Sequence, residues 1–289
     1  MKSIDIARLR QWIGHTRECE ETLMPRLVDE YRATLAPHLA PVDSGEAPLA
    51  LHWCLAAEMG AMAHLGPDGH SLANGFMPPA PLPRRLWAGG EIETLGPLRI
   101  GDRVLRRSTI ADIGVKEGRS GQLCFVTLRH ELATGRGVAI RERQDMVYRA
   151  AVAGNGQATQ SSSTAKAAEA PPEADLAWTV DATPVLLFRY SALTFNGHRI
   201  HYDHSYATEV EGYPGILVHG PLQASLLMNL AASLGGSVPR QFSYRAIAPL
   251  VGGKPFDVRG VHKSSDRIEC WTQDAAGHVT MLATATWRR

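Results

Sequence analysis

The stretch T-F-N-G-H-R-I-H-Y-D, residues 194 to 203, gathers two histidines, an arginine, an asparagine and an aspartate, with no cysteine among them. Histidine is the side chain whose ordinary pKa lies nearest neutrality, so it can accept and return a proton at physiological pH. His198 and His201 lie three positions apart and Asp203 follows, a spacing that also admits metal binding, with His204 or His219 as a further ligand. A serine hydrolase is the weaker reading. The nearby G-P-L-Q-A-S, residues 220 to 225, has no glycine following a central serine and so lacks the nucleophile elbow. Just upstream, P-V-L-L-F at 184 to 188 reads as an apolar strand leading into the polar cluster.

These residues need a scaffold. From Gly220 to Leu234, leucines recur at 222, 226, 230 and 234, and Leu227 and Ala231 widen the stripe. Few residues on the other faces are polar, which predicts a buried helix rather than a surface one. At 1.5 Å per residue it spans about 22 Å, enough to run along an antiparallel sheet. Strands are predicted at 98–113, 122–132 and 137–148, and again at 240–247, 256–263, 267–274 and 278–287. They are rich in β-branched and aromatic residues and separated by glycine-containing turns, the pattern of antiparallel meanders. In the first half, Leu27, Val28, Tyr31 and Leu35 give Met24 to Leu39 helical spacing. Between the halves, residues 151–177 are dominated by Ala, Ser, Thr, Gly and Pro and lack the apolar surface to fold alone. The chain therefore divides into an N-terminal lobe (1–150), a flexible linker (151–177) and a C-terminal lobe (178–289). One helix wrapped by an antiparallel sheet is a hot-dog arrangement. The expected class is α+β: a double hot dog of two antiparallel sheets, each wrapped round a central helix.

Composition narrows the partners. The 289 residues carry a formal net charge of +1 and a pI near 7.8, which gives no basic stripe for nucleic acid. Four cysteines are scattered with no C-x-x-C pair, as in a reducing compartment. The start of the sequence does not lead into a signal-peptide apolar core, and no 18-residue apolar run occurs, so a cytoplasmic, non-membrane protein is expected.

The segment F-R-Y-S-A-L-T-F-N-G-H-R-I-H-Y-D-H-S-Y-A, residues 188 to 207, resembles the hydratase motif of MaoC-like enoyl-CoA hydratases and hydroxyacyl-thioester dehydratases. In that motif an aspartate precedes the catalytic histidine by five residues; here His201 falls on the histidine and Asn196 on the aspartate. Y-P-G-I-L-V-H-G-P-L (213 to 222) is similar to the family's entry into its central helix. G-F-M-P-P-A-P-L-P-R-R-L-W-A-G-G (75 to 90), G-R-S-G (118 to 121) and E-R-Q-D-M-V-Y-R (142 to 149) resemble the subgroup of mesaconyl-C(4)-CoA hydratases, itaconyl-CoA hydratases and mitochondrial hydroxyacyl-thioester dehydratases.

The resemblance implies a hydro-lyase adding water to an unsaturated thioester, with His201 as base. Enolate stabilisation would fall to backbone N–H groups at the start of the buried helix, where Gly220 lacks a Cβ and Pro221 suits the first turn. Asn196 can orient water but cannot carry a proton. Either it only positions water for His201, or Asp203 or His198 supplies the second group. Arg199 replaces the family's proline, and Arg84, Arg85 and Arg245 lie in the matching stretches. A guanidinium can hold a carboxylate or phosphate bidentately, so these arginines, with His198, Trp87, Tyr190 and His219, are the expected substrate contacts. The implied substrate is a branched five-carbon dicarboxylyl-CoA such as mesaconyl-C(4)-CoA or itaconyl-CoA, giving citramalyl-CoA. No metal or redox cofactor is implied, and a homodimer is expected. The alternatives are a 3-hydroxyacyl-ACP or CoA dehydratase of fatty acid metabolism and a non-catalytic acyl-CoA-binding module.

Overall fold

The computed structural model describes residues 4–57, 59–71, 76–79, 81–118, 121–150 and 172–287. A short helix α1 (Ile6–Arg10), strand β1 (Thr16–Thr22) and helix α2 (Pro25–Leu35) open the chain. Strands β2 (Arg84–Thr94), β3 (Arg103–Gly118), β4 (Gly121–Thr134) and β5 (Gly137–Arg149) follow. The second half begins with β6 (Leu176–Asp181) and helix α3 (Pro184–Leu193). Helix α4 (Gly220–Gly235) comes next, then β7 (Gln241–Ala246), β8 (Pro255–Ser264), β9 (Arg267–Gln273) and β10 (Val279–Thr286).

Both meanders form, and they join edge to edge. The strand order is β1-β3-β4-β5-β2-β7-β10-β9-β8-β6, with every pairing antiparallel. The seam is β2, which pairs with β5 on one side and β7 on the other. The two expected sheets thus form one continuous ladder. This strand was absent from the sequence reading because Gly89 and Gly90 interrupt its pattern, although Ile92 on it is fully buried.

Helix α4 lies against β8, β9 and β10, and residues 222 to 232 are all buried, as the leucine spacing predicts. It ends at Gly236, whose φ of 70° suits the left-handed cap that favours glycine. In the first half the corresponding helix is α2. Its buried Val28, Tyr31 and Leu35 share one apolar core with Leu222, Leu226 and Leu230 of α4 and with Ile92 and Phe242 of the sheet. One core therefore serves both lobes.

Two boundaries differ from expectation. Leu176 and Ala177, assigned to the linker, are the first residues of β6, which pairs with β8 as an edge strand; residues 151–171 lie outside the described residues. The apolar run 184–188 is helical, not a strand. Thr183 accepts a hydrogen bond from Leu186 N and Pro184 occupies the first turn, so a capped helix starts there and continues to Leu193.

Candidate active site

Asn196 is placed by the end of α3. Its N–H donates to Ser191 O at 2.8 Å and the Phe195 N–H to Ala192 O at 3.2 Å, the paired bonds of a Schellman cap. Phe195 occupies the left-handed position, with φ of 50°, where glycine is usual. A backbone conformation unfavourable to a phenylalanine thus turns the chain so that Asn196 follows the helix directly. The Asn196 Oδ1 accepts from His198 N at 3.0 Å.

His201 closes a one-turn 3-10 helix, Arg199–His201, and is 7% exposed. Two bonds tie this turn to the strand-like segment before α4: Leu217 N donates to Ile200 O at 2.8 Å, and the His201 imidazole Nδ1 lies 2.9 Å from Leu217 O. A carbonyl only accepts, so Nδ1 carries the proton and Nε2 keeps its lone pair. Burial pushes the imidazole down to about 4, against the bond to Leu217 that favours its charged form. At neutral pH His201 is a neutral, oriented base with Nε2 unpaired among the described residues.

Two more histidines flank it. His219, the residue before α4, stacks on His201 with ring centroids 3.6 Å apart and an 18° interplanar angle. Its Nε2 shares a hydrogen bond with Ser191 Oγ at 2.8 Å, and burial holds it neutral. His198 meets His201 edge-on at 5.6 Å. On its other side His198 packs on His70, 4.2 Å away, and His70 Nδ1 bonds Asp68 at 2.9 Å. Gly69 allows this loop to close on the turn 197–201: its φ is 87°, and a Cβ there would run into the Gly197 carbonyl. Asp68, His70 and His198 are the one group among the described residues whose ligand atoms come within 4.8 Å of one another, so the metal-capable set differs from the one the spacing suggested.

Three of the four expected arginines are engaged elsewhere or face away. Arg199 donates to Asp203 at 3.0 and 2.7 Å and to Pro67 O at 2.9 Å, and lies over the Tyr206 ring. It fastens the motif together, and it occupies Asp203, which is therefore not positioned as a partner for His201. Arg84 pairs with Glu211 at 3.2 Å. Arg245 is exposed on β7 and borders neither cavity. Arg85 differs: it lines both cavities beside Asn196 and forms no hydrogen bond or ion pair with the described residues.

The outer cavity, of about 500 Å³, is bordered by Phe188, Phe195, Met62 and Tyr202. An inner cavity of about 230 Å³ is walled by Trp53, Trp87, Tyr190 and Pro221. Asn196, Thr194 and Arg85 border both and mark their junction. His201, His198, His219 and Gly220 are not among the residues that line either cavity. At Gly220 the missing Cβ makes room for an indole: a Cβ would lie 2.7 Å from Trp87 Cε3. Its N–H, at the start of α4, has no acceptor among the described residues.

Over residues 50–252 the chain matches hydroxyacyl-thioester dehydratase type 2. It is 40% identical over 275 residues to a mesaconyl-C(4)-CoA hydratase of Chloroflexus aurantiacus, covering 94% of this chain and 95% of that protein. The chain belongs to the hydroxyacyl-thioester dehydratase type 2 family. Members of this family are hydro-lyases, and so is this chain. The fold agrees with solved structures. A MaoC-like dehydratase from Phytophthora capsici superposes with a TM-score of 0.67 at 15% identity, over 99% of both chains. HtdX of Mycobacterium tuberculosis gives 0.64 at 18% identity, over 93% of this chain and 98% of that one. A further Mycobacterium tuberculosis protein, described as a double hotdog, gives 0.52 at 14% identity, over 95% of this chain and 96% of that one.

Within this dehydratase-family fold the sequence reading missed a buried polar row. Ser108 on β3 pairs with His130 on β4, which pairs with Glu142 on β5, and all three are buried. The signal was parity. In Cys124, Val126, Leu128, His130, Leu132, a histidine takes an inward position among apolar neighbours. Glu142 Oε1 accepts from Trp53 Nε1 and Gln144 Nε2, both at 2.7 Å, and from Tyr244 at 3.3 Å. Burial pushes its carboxyl up, but His52, His130 and Arg106 outweigh that and hold it at about 2.

Proposed function

We propose that this chain hydrates an unsaturated five-carbon dicarboxylyl-CoA thioester, mesaconyl-C(4)-CoA or itaconyl-CoA, to citramalyl-CoA. The observation that carries the reading is His201: buried, neutral, and held by Leu217 O in the tautomer that leaves Nε2 basic. In the proposed reaction on mesaconyl-C(4)-CoA, whose double bond is conjugated to the thioester, Nε2 takes a proton from water as the hydroxyl adds to the β-carbon. Charge moves to the thioester oxygen, which accepts from the Gly220 N–H at the positive end of α4. The imidazolium then returns its proton to the α-carbon, closing the cycle with no net charge transfer. Asn196, its Oδ1 already accepting from His198 N, offers its NH₂ to orient the water. No step calls for a metal or redox cofactor.

Cavity size and charge support the short dicarboxylic acyl group. The inner cavity, about 230 Å³, is smaller than the roughly 300 Å³ at which drug-sized ligand sites begin. It is also cationic, with Arg17, Arg85 and Arg106 on its lining. A carboxylate there gains charge-assisted hydrogen bonds from Arg85, which a methyl cannot accept. The larger outer cavity, bordered by exposed Phe188 and Phe195, suits the pantetheine arm.

The test is incubation of the purified chain with a panel of enoyl-CoAs, following the mass gain of one water. Mesaconyl-C(4)-CoA and itaconyl-CoA should exceed crotonyl-CoA in kcat/KM by roughly 10² or more. Equal use of crotonyl-CoA, or a preference for long-chain thioesters, would move the assignment to a fatty-acyl dehydratase. No turnover of any enoyl-CoA would favour a binding module.

A further inference from the structure

The turn that carries His201 is met by a loop from the first half of the chain, and the contact gathers side chains that the proposed reaction does not use. Arg199 N donates to Asp68 O and Arg199 Nη1 to Pro67 O, both at 2.9 Å. Within the loop, Gly66 N donates to His70 O at 2.7 Å and His70 N to Asp68 Oδ1 at 3.0 Å. These bonds hold Asp68 and His70 against His198. His70 Nδ1 lies 2.9 Å from Asp68 Oδ2, the rings of His70 and His198 are 4.2 Å apart, and one ligand atom from each of the three residues falls within 4.8 Å of the others.

An ion pair alone would account for Asp68 and His70. It does not account for His198, whose backbone N–H donates to Asn196 Oδ1 but whose half-buried imidazole makes no hydrogen bond to a described residue. Two imidazoles and a carboxylate round a common point suit Zn²⁺, Co²⁺ or Ni²⁺, whereas Mg²⁺ and Ca²⁺ take oxygen ligands. Ligand atoms about 2.1 Å from one ion stand roughly 3.0–3.5 Å from each other. Asp68 and His70 are already near that separation, so side-chain rotation at His198 would close the set.

We propose that Asp68, His70 and His198 bind a divalent ion of the zinc class, and that the bound ion inhibits hydration by occupying the wall of the outer cavity. The binding site rests on geometry; the inhibition rests on the hydratase reading. Gly69 and His70 line the outer cavity together with Asn196, so the ion has a route in. Three protein ligands leave at least one position of a four-coordinate ion open, and here it would stand where the pantetheine arm is proposed to pass. The ion would also hold the His198 ring, which meets His201 edge-on at 5.6 Å. Arg85 on the same lining opposes a cation, and the Asp68 carboxylate offsets it.

The experiment titrates the untagged, metal-stripped full chain with zinc chloride and with magnesium chloride by calorimetry. Hydration of mesaconyl-C(4)-CoA is measured in the same zinc series, for wild type, Asp68→Asn, His70→Gln and His204→Gln. Wild type should take up one Zn²⁺ and lose activity with the same midpoint, chiefly through a rise in KM, and Mg²⁺ should do neither. Asp68→Asn keeps an acceptor for His70 N but not the charge. It should bind zinc at least about tenfold more weakly, and so should His70→Gln, since even an outer-shell partner commonly carries that much affinity. His204→Gln, which changes a histidine outside the set, should bind as wild type does. Equal affinity in Asp68→Asn and His70→Gln would mean adventitious binding at other histidines and would overturn the site. No saturable binding in wild type would overturn it as well. If one variant does not fold, the other decides by the same criterion. Zinc bound at the site without loss of activity would overturn the inhibitory role. Wild type inactive on every enoyl-CoA would instead overturn the hydratase reading, while the calorimetry would still decide the site.

Discussion

The imidazoles of His201 and His219 lie face to face, centroids 3.6 Å apart and planes 18° from parallel. Both are buried, and burial holds both neutral: His201 down to about 4, His219 well below its ordinary value. Charging one ring of such a stack disfavours charging the other. Because the base must be neutral in the free enzyme, kcat/KM should be flat through neutral pH and fall only as His201 protonates, with an acid limb centred near 4. A limb at or above 6.5, the ordinary histidine value, would show that His201 is not held as described.

The same burial makes stability depend on pH. His130, His201 and His219 all have folded-state values below 6.5, near 3 for His130 and near 4 for His201. Between those values and 6.5 the unfolded chain binds protons that the folded chain refuses. Stability is therefore full above 6.5 and lost as pH falls toward 4, by up to roughly 1.4 kcal/mol per pH unit for each histidine. Urea midpoints at pH 7.5, 6 and 5 should fall in that order. A constant midpoint would contradict the assignment of neutral buried rings.

Phe195 holds a left-handed conformation in the cap that places Asn196, while its ring is exposed beside the outer cavity. Phe195→Gly should relieve up to about 1 kcal/mol of backbone strain, holding or raising the melting temperature. It should also raise KM for the CoA thioester by removing an apolar contact. Loss of more than about 1 kcal/mol of stability would contradict the strain argument.

Gly220→Ala would bring a methyl to 2.7 Å from Trp87 Cε3. Trp87 cannot swing away freely, because it stacks on Tyr244 at 4.4 Å and meets Trp53 edge-on. The substitution should destabilise by about 1–3 kcal/mol, the usual scale of overpacking, and lower kcat/KM by disturbing the cavity wall. Wild-type melting and turnover in the variant would mean the indole has room to move.

How much of this was legible follows from the kind of signal each feature leaves. Helix α4 declared itself through leucines at every fourth position, and seven strands through alternation. Strand β2 did not, because a seam strand carrying Gly89 and Gly90 has no clean period. Helix α3 was misread because five apolar residues have no measurable periodicity; the Thr183-Pro184 start was the better guide. The motif placed His201 and Asn196 together, but charge pairing is a three-dimensional fact. Nothing in the sequence told that Arg199 and Arg84 were already held by Asp203 and Glu211 while Arg85 was not.

In the proposed mechanism Asn196 and His201 do different work, and substitution separates them. Asn196→Ala removes the acceptor for His198 N and should impair turnover. Asn196→Asp keeps that acceptor and should be tolerated. An alanine variant as active as wild type would remove Asn196 from the mechanism.

The central claim is that His201 is the base that activates water. The direct measurement is kcat for His201→Ala with mesaconyl-C(4)-CoA at neutral pH, alongside its melting curve. The account predicts a fall of at least about 10²-fold in a variant that remains folded. Turnover within a few fold of wild type would contradict it.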